Sequence, residues 1–133
     1  MPRPPSPIPT DVELAILRVL WNIGPASVRQ VHNALLPHRP DAGYSTTLKM
    51  IQVMTDKGLL LKDDSQRPQI YSPAQPQEQT QLHLLDDLIQ RGFGGSAMNL
   101  VMRALDARRV PPQELAEIRK LLTQHKRPGE RHD

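Results

Sequence analysis

Apolar residues recur at helical spacing three times in the first half of the chain, each time after residues that can start a helix. In "TDVELAILRVLWNIG", Leu14, Leu17, Leu20 and Trp21 line one side. Thr10 and Glu13 stand at the spacing where side chain and backbone satisfy each other's free amides, and Gly24 with Pro25 ends the run. "SVRQVHNALL" repeats the arrangement: Ser27 and Gln30 make a second capping box, and Val28, Val31, Leu35 and Leu36 follow at helical spacing. After the break "PHRPDAG", the stretch "GYSTTLKMIQVMTDKG" predicts a third helix, with Gly58 where a left-handed cap is common. The period then changes. In "LLLKDDSQRPQIYSP" two short apolar runs, Leu59 to Leu61 and Ile70 with Tyr71, flank polar turn residues and predict a two-stranded hairpin. Three helices and a hairpin in this order predict a winged helix-turn-helix, an order that other small α+β domains share.

From Gln75 the chain turns Gln-rich and helical. "PQEQTQLHLLDDLIQRGF" puts Leu82, Leu85 and Ile89 on one face, "AMNLVMRALDA" puts Leu100, Val101 and Leu105 on another, and "PPQELAEIRKLLTQHK" does the same with Leu115, Ile118, Leu121 and Leu122. These faces are narrow, and the whole chain has one Trp, two Tyr and one Phe, so the three helices make a poor independent core. The stripes close most simply against the first domain or a second copy of the chain. The expected organisation is therefore a disordered Pro-rich tail (1–9), a winged-helix domain (10–74), a helical dimerisation region (75–126) and a disordered tail (127–133). The fold class is mostly α within an α+β frame. A homodimer would use Leu82, Leu85, Ile89, Leu100, Val101, Leu105, Leu115, Ile118 and Leu122.

Composition narrows the chemistry. A chain of 133 residues holds one core, or one small domain with an appendage. It has no cysteine, which excludes disulfides, thiolate metal sites and a cysteine nucleophile. No apolar run reaches the roughly 18 residues of a membrane span, and "MPRPPSPIP" has no signal-peptide core, so the expected location is cytoplasmic. Lys and Arg total 17 against 14 Asp and Glu, a formal charge of +3, which suits a polyanionic partner. The two halves are evenly basic, however, so charge alone does not locate the contact.

Catalytic patterns are missing. His32, His38, His83, His125 and His132 show no metal-ligand spacing, and the chain lacks a phosphate loop or nucleophile elbow. Asp63 with Asp64 and Asp86 with Asp87 are adjacent pairs whose side chains diverge on a helix or strand, so they read as a turn pair and a solvated face. No enzyme activity, cofactor or metal is expected. The third helix is more informative. At 100° per residue, Thr47, Met50, Ile51 and Met54 share a core-facing arc, while Ser45, Lys49, Gln52, Val53 and Asp56 point away. Periodicity alone makes that outer face ordinary solvated surface. Yet it has a single acidic residue, at its far end, and it opens on Tyr44, Ser45 and Thr46, at a helix terminus that favours anions. Val53 is odd for a solvated face but suits a groove wall or a thymine methyl.

Together "PTDVELAILRVLWNIGPASVRQVHNAL", "GYSTTLKMIQVMTDKGLL", "YSP" and "MNLVMRALDARRVPPQELAEIRKLL" resemble the penicillinase repressor family, the BlaI, MecI and CopY group of bacterial transcriptional regulators. The resemblance runs from about Pro9 to Lys126 and lies in the ordered set rather than in one motif. It implies a dimeric winged-helix repressor on double-stranded DNA with an inverted-repeat operator. It implies a recognition helix from Tyr44 to Lys57, with Ser45 and Thr46 at phosphates or groove edges, Lys49 at a base edge or phosphate, and Val53 where relatives carry a basic residue. Arg29 is a further phosphate candidate, and Lys62 and Arg67 on the wing would touch the backbone. In the antibiotic-resistance members a membrane metallopeptidase triggers cleavage of an Asn-Phe bond, where this chain has Arg103-Ala104. The copper-responsive branch senses metal through C-terminal cysteines, which this chain lacks. A protein-interaction adaptor is the rival class, because winged helices also dock proteins.

Overall fold

The computed structural model describes residues 8–106 and 110–124; the two predicted tails lie, apart from Ile8 and Pro9, outside the described residues. Six helices and one hairpin follow in order: α1 (Asp11–Ile23), α2 (Val28–Leu35), α3 (Tyr44–Asp56), β1 (Leu60–Asp63), β2 (Ile70–Pro73), α4 (Gln77–Gly92), α5 (Ala97–Asp106) and α6 (Pro112–Gln124). The chain divides into two compact units, Met1–Asp86 and Asp87–Asp133.

Both predicted capping boxes form. The Glu13 amide donates to Thr10 Oγ1 at 3.2 Å and the Thr10 amide to Glu13 Oε1 at 3.0 Å. Ser27 and Gln30 exchange the same pair of bonds at 3.2 and 2.9 Å. Each box satisfies two amides that the start of a helix would otherwise leave free. The end of α3 is closed differently. The Gly58 amide donates to Thr55 O at 3.1 Å and the Leu59 amide to Met54 O at 2.9 Å. That pair of bonds requires the left-handed φ of +84° that Gly58 adopts without steric cost, and it turns the chain directly into β1.

The strands pair antiparallel, Leu60 opposite Pro73 and Asp63 opposite Ile70. A third segment joins them, because Ala26 and Tyr71 exchange backbone bonds at 3.0 and 2.8 Å. This bridge ties the α1–α2 connection to the hairpin. The hydrophobic core is Ile16, Leu17, Leu20, Ala26, Val28, Val31, Leu35, Ile51, Met54, Leu60 and Tyr71. Each large side chain in it contributes about 1.5–3 kcal/mol relative to exposure. The buried stripe of α1 is Glu13, Ile16, Leu17 and Leu20, spaced i, i+3, i+4 and i+7. Leu14 and Trp21, expected in the core, are half-buried at its edge.

Glu13 is 3 % exposed as a side chain, and Lys57 Nζ donates to its Oε2 at 2.6 Å. Burial raises the Glu13 pKa. The Lys57 hydrogen bond and charge, with the bonds from Thr10, outweigh burial and hold the carboxyl below its usual range. The same carboxylate thus caps α1 and anchors the residue that ends α3.

The helices after the hairpin differ from those before it. No residue of α4, α5 or α6 is buried among the described residues. Helix α6 starts at Pro112, where a missing N–H is harmless. None of the described helices is long and apolar enough to cross a membrane.

Candidate nucleic-acid interface

Thr47, Ile51 and Met54 are buried and Met50 is half-buried, which fixes the rotation of α3 about its axis. Ser45, Lys49, Gln52, Val53 and Asp56 are consequently all exposed, as the helical wheel requires. Ser45, Lys49 and Val53 follow at i, i+4 and i+8 along one face. Thr46 is exposed beside them, and Asp56 is the only acidic residue of the helix, at its last position. Val53, at 37 % exposure, presents an apolar surface between polar neighbours.

The start of α3 contrasts with the starts of α1 and α2. Gly43 occupies the N-cap position and provides no side-chain hydrogen bond. The first-turn amides of α3 therefore lack the partner that Thr10 and Ser27 give the other two helices. A helix start in that condition carries partial positive charge toward whatever approaches it.

Two of the predicted contacts are brought together by the fold. The Arg29 guanidinium on α2 lies 4.0 Å from the centroid of the Tyr44 ring at the start of α3. Tyr44 also meets the His32 ring edge-on, with centroids 5.5 Å apart at 85°. His32, buried in α2, holds Thr47 through its Nδ1 and the threonine Oγ1 at 3.0 Å. Neither Arg29 nor Lys49 forms an ion pair among the described residues.

The wing residues are engaged locally. Arg67 donates to the backbone carbonyls of Asp64 and Gln66 at 2.8 and 3.0 Å, and Lys62 lies 3.9 Å from Asp64. Asp63 accepts from the amide and hydroxyl of Ser65 and from Gln66, which hold its carboxyl below the usual range although it is fully solvated. The acidic pair thus organises the turn between the strands.

The dimerisation candidates are open. Leu82 and Leu122 are 62 % and 70 % exposed; Leu85, Val101 and Leu105 are also exposed, and Ile89, Leu100, Leu115 and Ile118 are half-buried.

The penicillinase repressor family matches this chain over residues 9–124. It belongs to that family. The chain is also 30 % identical over 116 residues to the "Transcriptional regulator BlaI" of Mycobacterium tuberculosis, in both the CDC 1551 / Oshkosh and the ATCC 25618 / H37Rv strains. The match covers 86 % of this chain and 82 % of either relative. Members of the penicillinase repressor family are transcriptional regulators rather than enzymes, which agrees with the absence of catalytic spacing in the sequence. Within the penicillinase repressor family, the chain has the element order expected of a winged helix-turn-helix.

What the sequence did not announce is the Arg29, Tyr44, His32 and Thr47 cluster. His32 sits one position after Val31, inside the apolar arc of α2, and that placement was the available signal. Its partner lies 15 residues away, beyond the reach of a helical wheel.

Proposed function

We propose that the chain is a homodimeric, sequence-specific DNA-binding repressor that turns transcription off by occupying an inverted-repeat operator. The exposed face of α3 carries this reading: its inward side is locked into the core, and its outward side offers Ser45, Thr46, Lys49 and Val53 with no acidic residue before Asp56. In the major groove Lys49 reads a base edge or a phosphate, and Ser45 and Thr46 meet phosphates or groove edges. The uncapped start of α3 suits a phosphate, and Val53 suits a thymine methyl. Arg29 and Tyr44 border the same helix start. Lys62 and Arg67 contribute less, because their side chains are already engaged within the wing.

The unburied stripes of α4, α5 and α6 support dimerisation, since apolar faces of this extent are stabilised by a second copy. A protein working on chromosomal DNA in this way acts in the cytoplasm. Release by a membrane metallopeptidase belongs to the same reading. The bond in question, Arg103-Ala104, lies inside α5, so a protease takes it only after that helix opens locally.

The test is a gel shift on the DNA upstream of the protein's own coding sequence, with competitor DNA and a salt titration. The expected result is a specific complex whose affinity falls steeply with salt. A protein-interaction adaptor gives no specific shift.

A further inference from the structure

The DNA-binding reading leaves open why a buried histidine should join the two helices of the helix-turn-helix. Thr47 Oγ1 lies 3.0 Å from His32 Nδ1 and 3.4 Å from Gly43 O, so a hydrogen bond to the start of α3 fixes the orientation of the imidazole. The ring so fixed stands edge-on to Tyr44. Tyr44 in turn lies beneath the Arg29 guanidinium. Four residues thus form one connected line from the core of the domain to an exposed cation.

We propose that Tyr44 and His32 are positioning residues that hold the Arg29 guanidinium in place for a DNA phosphate. Stacking orients the plane of the guanidinium but uses none of its five N–H donors, so the fork remains available to a phosphate. An arginine on α2 with no such platform would lose side-chain entropy when it docks; here much of that loss has already occurred. Arg29 also has no carboxylate partner among the described residues, whereas Lys57 and Lys62 have Glu13 and Asp64. A backbone phosphate gives no sequence information, so this contact acts on all DNA alike.

The proposal rests on the DNA-binding reading, and the experiment separates the two. Full-length protein is titrated onto the upstream duplex and onto a scrambled duplex over a range of salt. The variants are Arg29→Gln, Tyr44→Leu, Tyr44→Phe, the double variant Arg29→Gln/Tyr44→Leu, and Lys49→Ala. Thermal melts confirm that each is folded. Arg29→Gln should lose roughly tenfold in affinity on both duplexes and lower the salt slope by about 1. Tyr44→Leu should lose several-fold and Tyr44→Phe almost nothing, because phenylalanine keeps the ring face. The double variant should be no weaker than Arg29→Gln alone, the mark of coupled residues. Independent losses in the double variant, or equal losses for Tyr44→Phe and Tyr44→Leu, overturn the positioning role. If Lys49→Ala weakens specific binding while Arg29→Gln and Tyr44→Leu leave it intact, the DNA reading stands and the proposal fails alone. If the wild-type protein binds neither duplex, both fail.

Discussion

Helices α1 to α3 with their hairpin, and helices α4 to α6 after them, use similar apolar residues to different ends. Every buried residue lies between Glu13 and Tyr71, and the later helices contribute none among the described residues. The first region closes its own core. Long-range ties such as Ala26 with Tyr71 and Glu13 with Lys57 then fix the angles at which its helices meet. The second region forms helices of the right length but leaves Leu82, Val101, Leu121 and Leu122 in solvent. An amphipathic helix by itself does not say what covers it; in the proposed homodimer a second protomer covers the second region alone.

The contrast can be broken most forcefully by removing the second region. A fragment ending before Gln75 should stay folded and monomeric by circular dichroism and sedimentation. It should bind the operator about 10²–10⁴-fold more weakly than the full chain, because two linked half-site contacts become one. A fragment that still dimerises moves the interface into the first region. Next in size is the core itself. Ile51→Ala should cost about 2–5 kcal/mol in denaturant unfolding, since it opens a cavity where the side chain is fully buried. Leu122→Ala, a truncation of the same size at an exposed position, should leave the first region's unfolding unchanged and weaken self-association.

Lys49→Ala comes third, with an expected loss of roughly 1–3 kcal/mol in operator binding if the side chain reads a base. Retention of full affinity near physiological salt removes Lys49 from the reading face. Glu13 gives the smallest effect. Glu13→Ala should destabilise by about 1 kcal/mol through the lost cap, and Glu13→Gln by less, because glutamine can still close the capping box. The native carboxyl titrates below its unfolded value, so its contribution is complete above the ordinary carboxylate range and is lost as pH falls through and below that range. Glu13→Gln should flatten that part of the acid limb in a pH series of melts. Part of the Lys57 side chain is solvated, which keeps the pair's share modest.

Local features of this fold were legible in the chain, and non-local ones were not. The boxes at Thr10 with Glu13 and Ser27 with Gln30 span three residues each, so spacing alone reveals them. The two faces of α3 were readable because Thr47, Met50, Ile51 and Met54 repeat at the helical period. The rotation of α1 was less so: stripes through Leu14 or through Ile16 share Leu17 and Leu20, and only packing against α2 and α3 selects the second. The Ala26 bridge to the hairpin left no mark, since backbone pairing places no demand on an alanine side chain. Arg29 and Tyr44 were each legible as candidates, but their stacking depends on how α2 meets α3. Helix rotation and crossing are set by tertiary contacts, and that is the information a periodicity lacks.

Nuclease footprinting of the full-length protein on its upstream DNA decides whether it binds as a symmetric dimer through α3. A symmetric dimer should give two protected half-sites related by inverted symmetry, with centres about one helical turn, roughly 10 base pairs, or a multiple of it apart. Both should weaken together, and need a higher protein concentration, when Lys49 is replaced by alanine. Protection of a single half-site, or a uniform pattern without sequence preference, would contradict that mode of binding.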